Sequence, residues 1–242
     1  SELRYMNDST ELVYALNLLD TAITARSRRG SSAAEFLSSF SQWLHSQINQ
    51  GPMLFSASFR ANGNLLSQWR GYSNHGKGVS LGFNHEAIQS LAVGQDFYLG
   101  QCLYDSKKQH DLAYEIVDCL ISMYEEGEDV NAIFQSIEAD LMIICALLKH
   151  PSFAEEQEWR LISPTFTSTA SAPIAFREGK AMLVPYYLFD LELDGLIKLD
   201  HVFVGPTPNA ALSVNALMHY LTNKNARPEK GISDSEIPYR PR

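Results

Sequence analysis

The chain has 242 residues, 45% of them hydrophobic and 19% charged, which is enough to bury a substantial core in an ordinary globular protein. A formal net charge of -9 excludes a broad basic surface, so strong non-specific binding to a nucleic-acid backbone is not expected. The three cysteines, Cys102, Cys119 and Cys145, are far apart and outside any metal-ligand spacing, and they read as reduced thiols of a cytoplasmic protein.

Asp8-Ser9-Thr10-Glu11 has the form of a capping box, and Leu12, Leu16, Leu19 and Ile23 follow at helical spacing, predicting a first helix to about Arg26. Ser32 and Glu35 repeat the box. Phe36, Phe40, Leu44 and Ile48 then stripe a second helix, which Gly51-Pro52 ends. From Leu54 the pattern becomes that of a strand, with Phe55, Ala57 and Phe59 on one face and Ser56, Ser58 and Arg60 on the other. Asn62-Gly63-Asn64 breaks it, since these residues tolerate positive φ. Leu66 and Trp69 share one side of a short helical turn, with Arg70 and Tyr72 near its end. A loop from Ser73 to Gly78 leads into a β-rich run from Val79 to Phe83. Functional groups on loops held between two strands are a common way to build a site.

Asn84 caps a short helix to about Leu91, and residues 96–104 read as a strand. Two amphipathic helices follow, at 107–126 and 129–149, divided by Gly127. The second carries Val130, Ile133, Phe134, Ile137, Leu141, Ile144 and Leu148 on its inner face. Neither holds a run of about 18 apolar residues, and no signal-peptide pattern occurs, so no membrane partner is expected. His150-Pro151 stops the second helix. Ser152 opens one more short turn, Trp159 to Ser163 is a strand, and 165–173 is a Ser/Thr/Ala loop. Strands at 181–189 and 196–204, a Gly205-Pro206 turn and a helix at 209–220 precede a polar tail at 223–242. Strands framed by helices without regular βαβ alternation predict an α+β fold. The expectation is a mixed, mostly antiparallel sheet flanked by helices, in a single domain 1–242 with a helical insert at 107–149.

The familiar nucleotide-binding, hydrolase and zinc-protease motifs are absent, and Gly76-Lys77-Gly78 lacks the spacing of a phosphate loop. Glu155, Glu156 and Glu158 are the acids that stand out. If Glu156 and Glu158 begin a strand they share a face, about 7 Å apart along the chain, where they could engage a cation or sugar hydroxyls. Alternatively Glu155 and Glu156 lie in an exposed turn while Glu158 pairs with an arginine. Trp69 and Trp159 serve as core or as platform. Arg60, Arg70 and Arg160 each adjoin a strand or an aromatic residue and, if partly buried, need a carboxylate or phosphate partner. No His–Asp arrangement makes Ser56 or Ser58 a convincing nucleophile.

An ordered series of motifs goes further. It comprises Asn7-Asp8-Ser-Thr-Glu11, Ser56-Ala-Ser58-Phe59, Leu66-x-x-Trp69-x-x-Tyr72, Lys77-Gly78-Val79-x-Leu81-x-Phe83, Phe153-x-x-Glu156-x-Glu158-Trp159-Arg160, Val204-Gly205-Pro206 and Ser235-x-Ile237-Pro-Tyr-Arg240. The series resembles the bacterial domain-of-unknown-function family 2971. A second likeness, to ADP-ribosyltransferases, rests on the serine/aromatic strand and the late glutamate; the opening His-Tyr-Thr strand of that layout would have to lie upstream of Ser1. This likeness implies an NAD-dependent ADP-ribosyltransferase of a toxin or phage-defence effector. Glu158 or Glu156 would be its catalytic carboxylate, with Ser56, Ser58, Arg60, Trp69, Arg70, Tyr72 and Lys77 around the NAD cofactor. Coupled to this reading are expectations that Ser56, Ser58, Trp69, Tyr72 and Glu158 converge on one cleft and that Glu158→Gln leaves the melting temperature nearly unchanged. Two rivals are a metal-dependent nuclease or phosphodiesterase using Asp8, Glu11, Glu156 and Glu158 as oxygen ligands, and a non-catalytic module that recognises a nucleotide or protein through residues 69–77.

Overall fold

A computed structural model describes residues 1–5, 10–27, 33–73, 78–168, 173–179 and 182–237. The helices are α1 (Thr10–Ser27), α2 (Ala34–Gln50), α3 (Leu66–Tyr72), α4 (His85–Gly94), α5 (Ser106–Glu125), α6 (Val130–Leu147) and α7 (Ala210–Asn223). The strands are β1 (Ser56–Arg60), β2 (Val79–Leu81), β3 (Tyr98–Gln101), β4 (Glu158–Ile162), β5 (Ala175–Glu178), β6 (Leu183–Tyr186), β7 (Glu192–Leu193), β8 (Leu196–Leu199), β9 (Val202–Val204), β10 (Ala226–Pro228) and β11 (Ile232–Asp234). This is an α+β fold, as the sequence predicts. Its segments sort into two compact units, one of residues 1–59 and 97–188, the other of residues 60–96 and 189–242.

In the first unit the helix patterns explain the core. Leu12, Leu16, Leu19 and Ile23 of α1 meet Phe36, Phe40 and Leu44 of α2, Val117 and Leu120 of α5, and Ile133, Phe134 and Cys145 of α6. Burying each such side chain is worth roughly 1.5–3 kcal/mol. Helix α1 is apolar on more than one side because α2, α5 and α6 all pack against it. By length and composition α6 could cross a membrane, but its apolar residues serve this core. Asp129 caps α6 by accepting from the backbone N–H groups of Asn131 and Ala132, and Gly127, at φ +89, supplies the left-handed turn between α5 and α6.

Strand β4 lies between β1 and β3, antiparallel to β3 with Tyr98 opposite Ile162 and Gln101 opposite Trp159. The period-2 expectation for β1 does not hold: Phe55 and Ser56 are both buried, and Ala57 and Ser58 are both exposed. Phe55 packs on Phe166 and Tyr187. Glu2 bridges to Phe55, and Ser1 and Ser56 exchange backbone hydrogen bonds, so the opening residues lie along β1. Strands β5 and β6 form an antiparallel pair of their own.

The second unit holds two small sheets, ordered β10-β8-β7 and β11-β9-β2, with parallel pairing of β10 to β8 and of β11 to β9. The run 196–204, read as one strand, is two, because Asp200 and His201 turn the chain between sheets. The segment read as a polar tail supplies β10 and β11. Leu199, Val202, Leu221 and Ala226 form the local core, with Phe83, Ile197, Leu217 and Ile232 against it. Asn84 caps α4 through the backbone N–H of Ala87, as its sequence predicts.

Candidate functional site

The first residue of β4 is the centre of a charge cluster inside the first unit. Glu158 is 1% exposed. One carboxylate oxygen accepts from Arg160 Nε at 2.8 Å and the other accepts from Lys149 Nζ, and Ser58 of the neighbouring β1 adds a smaller favourable influence on the ionised carboxylate. Lys149 donates to Glu156 as well, at 2.5 Å. Arg160, itself 1% exposed, passes a further bond to the Ala146 carbonyl at 2.5 Å. Two acids and two bases thus balance, as buried charges must if each is to keep its ionised form.

Local folding brings these groups together. Glu158 and Arg160 are two apart on β4, so strand alternation puts both on one face. Glu156 ends a 3-10 helical turn, Pro151–Glu156, and Gln157 then takes a left-handed conformation at φ 42, which reorients the chain before the strand begins. The Glu158 N–H donates to the Tyr104 hydroxyl at 3.1 Å, and its carbonyl accepts from the Cys102 N–H at 2.9 Å.

Lys149 follows α6. Its N–H donates to the Leu103 carbonyl at 3.1 Å, and its own carbonyl accepts from Gln109 Nε2 at 2.8 Å. Gln109, fully buried on α5, also donates to the Leu103 carbonyl and accepts from the Tyr14 hydroxyl, both at 2.7 Å. The ammonium sits 5.2 Å from the centroid of the Phe153 ring.

Burial by itself would push the Glu158 carboxyl up; the Arg160 guanidinium, with help from Lys149 and Ser58, overrides it and holds the group at about 2. The carboxylate is therefore ionised at any neutral pH, fixed in direction and almost closed to solvent. Glu156, whose side chain is 22% exposed, and the exposed Ser58 are the open side of the cluster. Ser56 is buried, and its hydroxyl has no hydrogen-bond partner among the described residues.

The residues expected around one site thus divide. Ser56, Ser58, Glu156 and Glu158 belong to the first unit, and Arg60, Trp69, Arg70 and Tyr72 to the second. In the second unit Trp69 is 4% exposed, and its indole N–H donates to Asn64 Oδ1 at 2.8 Å, an atom that also accepts from the Ser235 hydroxyl at 2.7 Å. Tyr72 is exposed and its hydroxyl accepts from Arg60 at 2.9 Å, with the guanidinium 5.2 Å from the ring centroid. Arg70 is exposed. Lys77, like Asp8, lies outside the described residues, as does the side chain of Glu11. No group of three or more His, Cys, Asp or Glu residues suited to a metal ion occurs among the described residues.

Sequence reading passed over Lys149, Gln109 and Tyr104. For Lys149 a signal was available, since it is the one basic residue in the stretch 129–149 and stands directly ahead of His150-Pro151. Gln109 and Tyr104 carried none, because their roles depend on distant backbone carbonyl and amide groups.

Residues 68–161 match the family described as protein of unknown function (DUF2971). The matched span contains the Trp69–Tyr72 and Lys77–Phe83 motifs and Glu156, Glu158 and Arg160; the Ser56-Ala-Ser58 strand and the C-terminal motifs lie outside it. Neither a curated protein nor a solved structure matches the chain.

Proposed function

We propose that the first unit carries a centre for cleaving the nicotinamide–ribose bond of NAD, of the ADP-ribosyltransferase type, with Glu158 as its fixed carboxylate. The observation that carries the proposal is Glu158 itself, a 1% exposed, ionised carboxylate at the start of β4, the strand next to the serine strand β1. The serine strand and the glutamate strand are thus neighbours in one sheet. Glycosidic cleavage passes through an oxocarbenium-like state, which a pre-oriented, fully ionised carboxylate stabilises without reorganising. Glu156, more open to solvent, is the second acid, suited to a ribose hydroxyl or to an incoming nucleophile. Such a reaction fits an effector that modifies a macromolecule, as a toxin or phage-defence protein does.

A second reading draws on a different observation. Both Glu158 oxygens are occupied by buried cations, and the side chain is 2% exposed. On that reading the cluster braces β4 against the end of α6, and the protein is a binding module without turnover.

Nicotinamide release from NAD separates the two. The variant to use is Ser58→Ala, because Ser58 is exposed and uncharged, so its removal leaves the ion pairs in place. The catalytic reading expects wild-type turnover and a loss of about tenfold or more in Ser58→Ala, about 1.4 kcal/mol of barrier, at an unchanged melting temperature. Glu155→Gln, in the exposed turn, should behave as wild type. Wild-type protein that neither hydrolyses NAD nor gains thermal stability from it would leave the bracing reading in possession.

A further inference from the structure

We infer that the first unit carries a second ligand site, a groove on α1 around Asp20 that takes an aliphatic polyamine. The groove has a volume of about 490 Å³, within the range of small-molecule clefts, and is lined by Asn17, Asp20, Thr21, Thr24 and Ala25. Its one charged wall residue is held from the neighbouring helix. Ser41 and His45 stand one turn apart on α2 and both reach Asp20. The Ser41 hydroxyl donates to Asp20 Oδ1 at 2.9 Å, and His45 Nε2 lies 2.8 Å from Oδ2. A carboxylate only accepts, so that ring nitrogen carries the hydrogen. These contacts fix the direction of the carboxylate, as a binding group requires. They also leave it capacity: one acceptor position is used on each oxygen, of about four in all, and the side chain remains 32% exposed.

The rest of the wall selects the ligand. Asn17, Thr21 and Thr24 follow one another at helical spacing, so they share a face of α1 over about 10 Å. The Thr21 hydroxyl donates to the Asn17 carbonyl at 2.7 Å, which spends its hydrogen and leaves its oxygen to accept. The described lining offers no basic residue to a phosphate or carboxylate, and no aromatic ring on which a base or sugar would stack. A row of acceptors around one oriented carboxylate fits a slender, positively charged donor, and an alkyl chain with spaced ammonium groups is such a molecule. The surrounding field favours it too. Residues 60–96 and 189–242 hold nine Lys or Arg and nine Asp or Glu, so the net charge of -9 belongs to the first unit and concentrates cations around it. The groove shares no residue with the Glu158 cluster, so the inference stands apart from the NAD reading.

Spermidine is the probe, titrated calorimetrically into the full chain at about 0.15 M salt, where diffuse attraction is largely screened. Binding should saturate at one spermidine per chain. Asp20→Asn should weaken it about tenfold or more and Thr21→Val about threefold. Thr21 is exposed, and its replacement leaves Asp20, Ser41 and His45 in place, so it reads the groove even if Asp20→Asn loosens α1 from α2. Asp140→Asn, which removes an exposed acid of α6, should bind as wild type, and Mg²⁺ at matched ionic strength should not displace spermidine. The inference is overturned if binding does not saturate, or if either groove variant keeps full affinity. It is equally overturned if Asp140→Asn weakens binding as much as Asp20→Asn or if Mg²⁺ competes, since both are marks of diffuse attraction to an acidic surface.

Discussion

Glu158 couples stability to acid in a definite direction. Its carboxyl lies at about 2 in the folded protein against an ordinary value of 4.5, because Arg160 and Lys149 outweigh the effect of burial. The stabilisation from the ionised form is complete above about pH 4.5 and is lost as the pH falls toward about 2. Urea midpoints of the wild-type protein should fall across that window, and the fall should be shallower in Glu158→Gln. Equal acid slopes in the two proteins would assign the effect to other carboxyls. At neutral pH Glu158→Gln leaves two buried cations short of a partner, so it should cost about 3–5 kcal/mol in a urea melt. The near-neutral melting temperature expected from the sequence is thereby revised: glutamine keeps the shape of the side chain but not the charge that Arg160 and Lys149 require. Thiol chemistry gives a separate check at this scale. Burial raises the Cys145 thiol to about 12, and Cys102 is also buried, whereas Cys119 is exposed. Alkylation of the native protein followed by mass spectrometry should label Cys119 first, with Cys102 and Cys145 reacting only on unfolding.

Among the elements, α6 has the clearest local determinants. The Asp129 side chain accepts from two of its first free N–H groups, so Asp129→Ala should cost about 1 kcal/mol, read from the urea midpoint at constant slope. Such features were legible from sequence because they are local. The stripes of α1, α2 and α6 and the Asn84 cap each depend on residues a few positions apart, and the structure has them all. Non-local features were not legible. Alternation puts Ala57 on the same face as Phe55, yet Phe55 is buried and Ala57 is exposed. Strands β10 and β11 gain their backbone partners from β8 and β9, about 30 residues away, and their own composition is that of a loop. One local signal was overlooked: Asp194 and Gly195, both at positive φ, form the two-residue connection from β7 to β8 that an Asp-Gly pair favours. For the site, the pairing of Glu158 with an arginine was one of the two readings that spacing allowed. Lys149 enters the cluster only because α5 and α6 return the chain to it.

The whole chain alternates between its two units, passing from one to the other near residues 59, 96 and 188. If the first unit holds its own core, residues 1–59 joined by a flexible linker to 97–188 should fold, with strong helical circular dichroism and one cooperative melt. A recombined chain that stays unfolded would show that the helices around α1 need the rest of the protein. The first unit carries the four-helix core and the whole Glu158 cluster, so the recombined chain should also reproduce the acid dependence of stability.

This alternation has a consequence for how the protein is made. On a ribosome the chain emerges from its N-terminus at about 5–20 residues per second. Strand β1 is out early, but β4, its neighbour in the sheet, ends at Ile162, about a hundred residues later. The nascent first unit therefore waits for several seconds or more with β1 unpaired along the edge that β4 will occupy. During that wait the opening piece of the second unit, residues 60–96, is also present without its later half, 189–242. Unpaired strand edges and uncovered apolar helices are the surfaces that chaperones hold and that aggregate when they are not held. Yield of soluble protein should accordingly depend on holdase capacity and on slow growth far more than the stability of the finished fold would suggest.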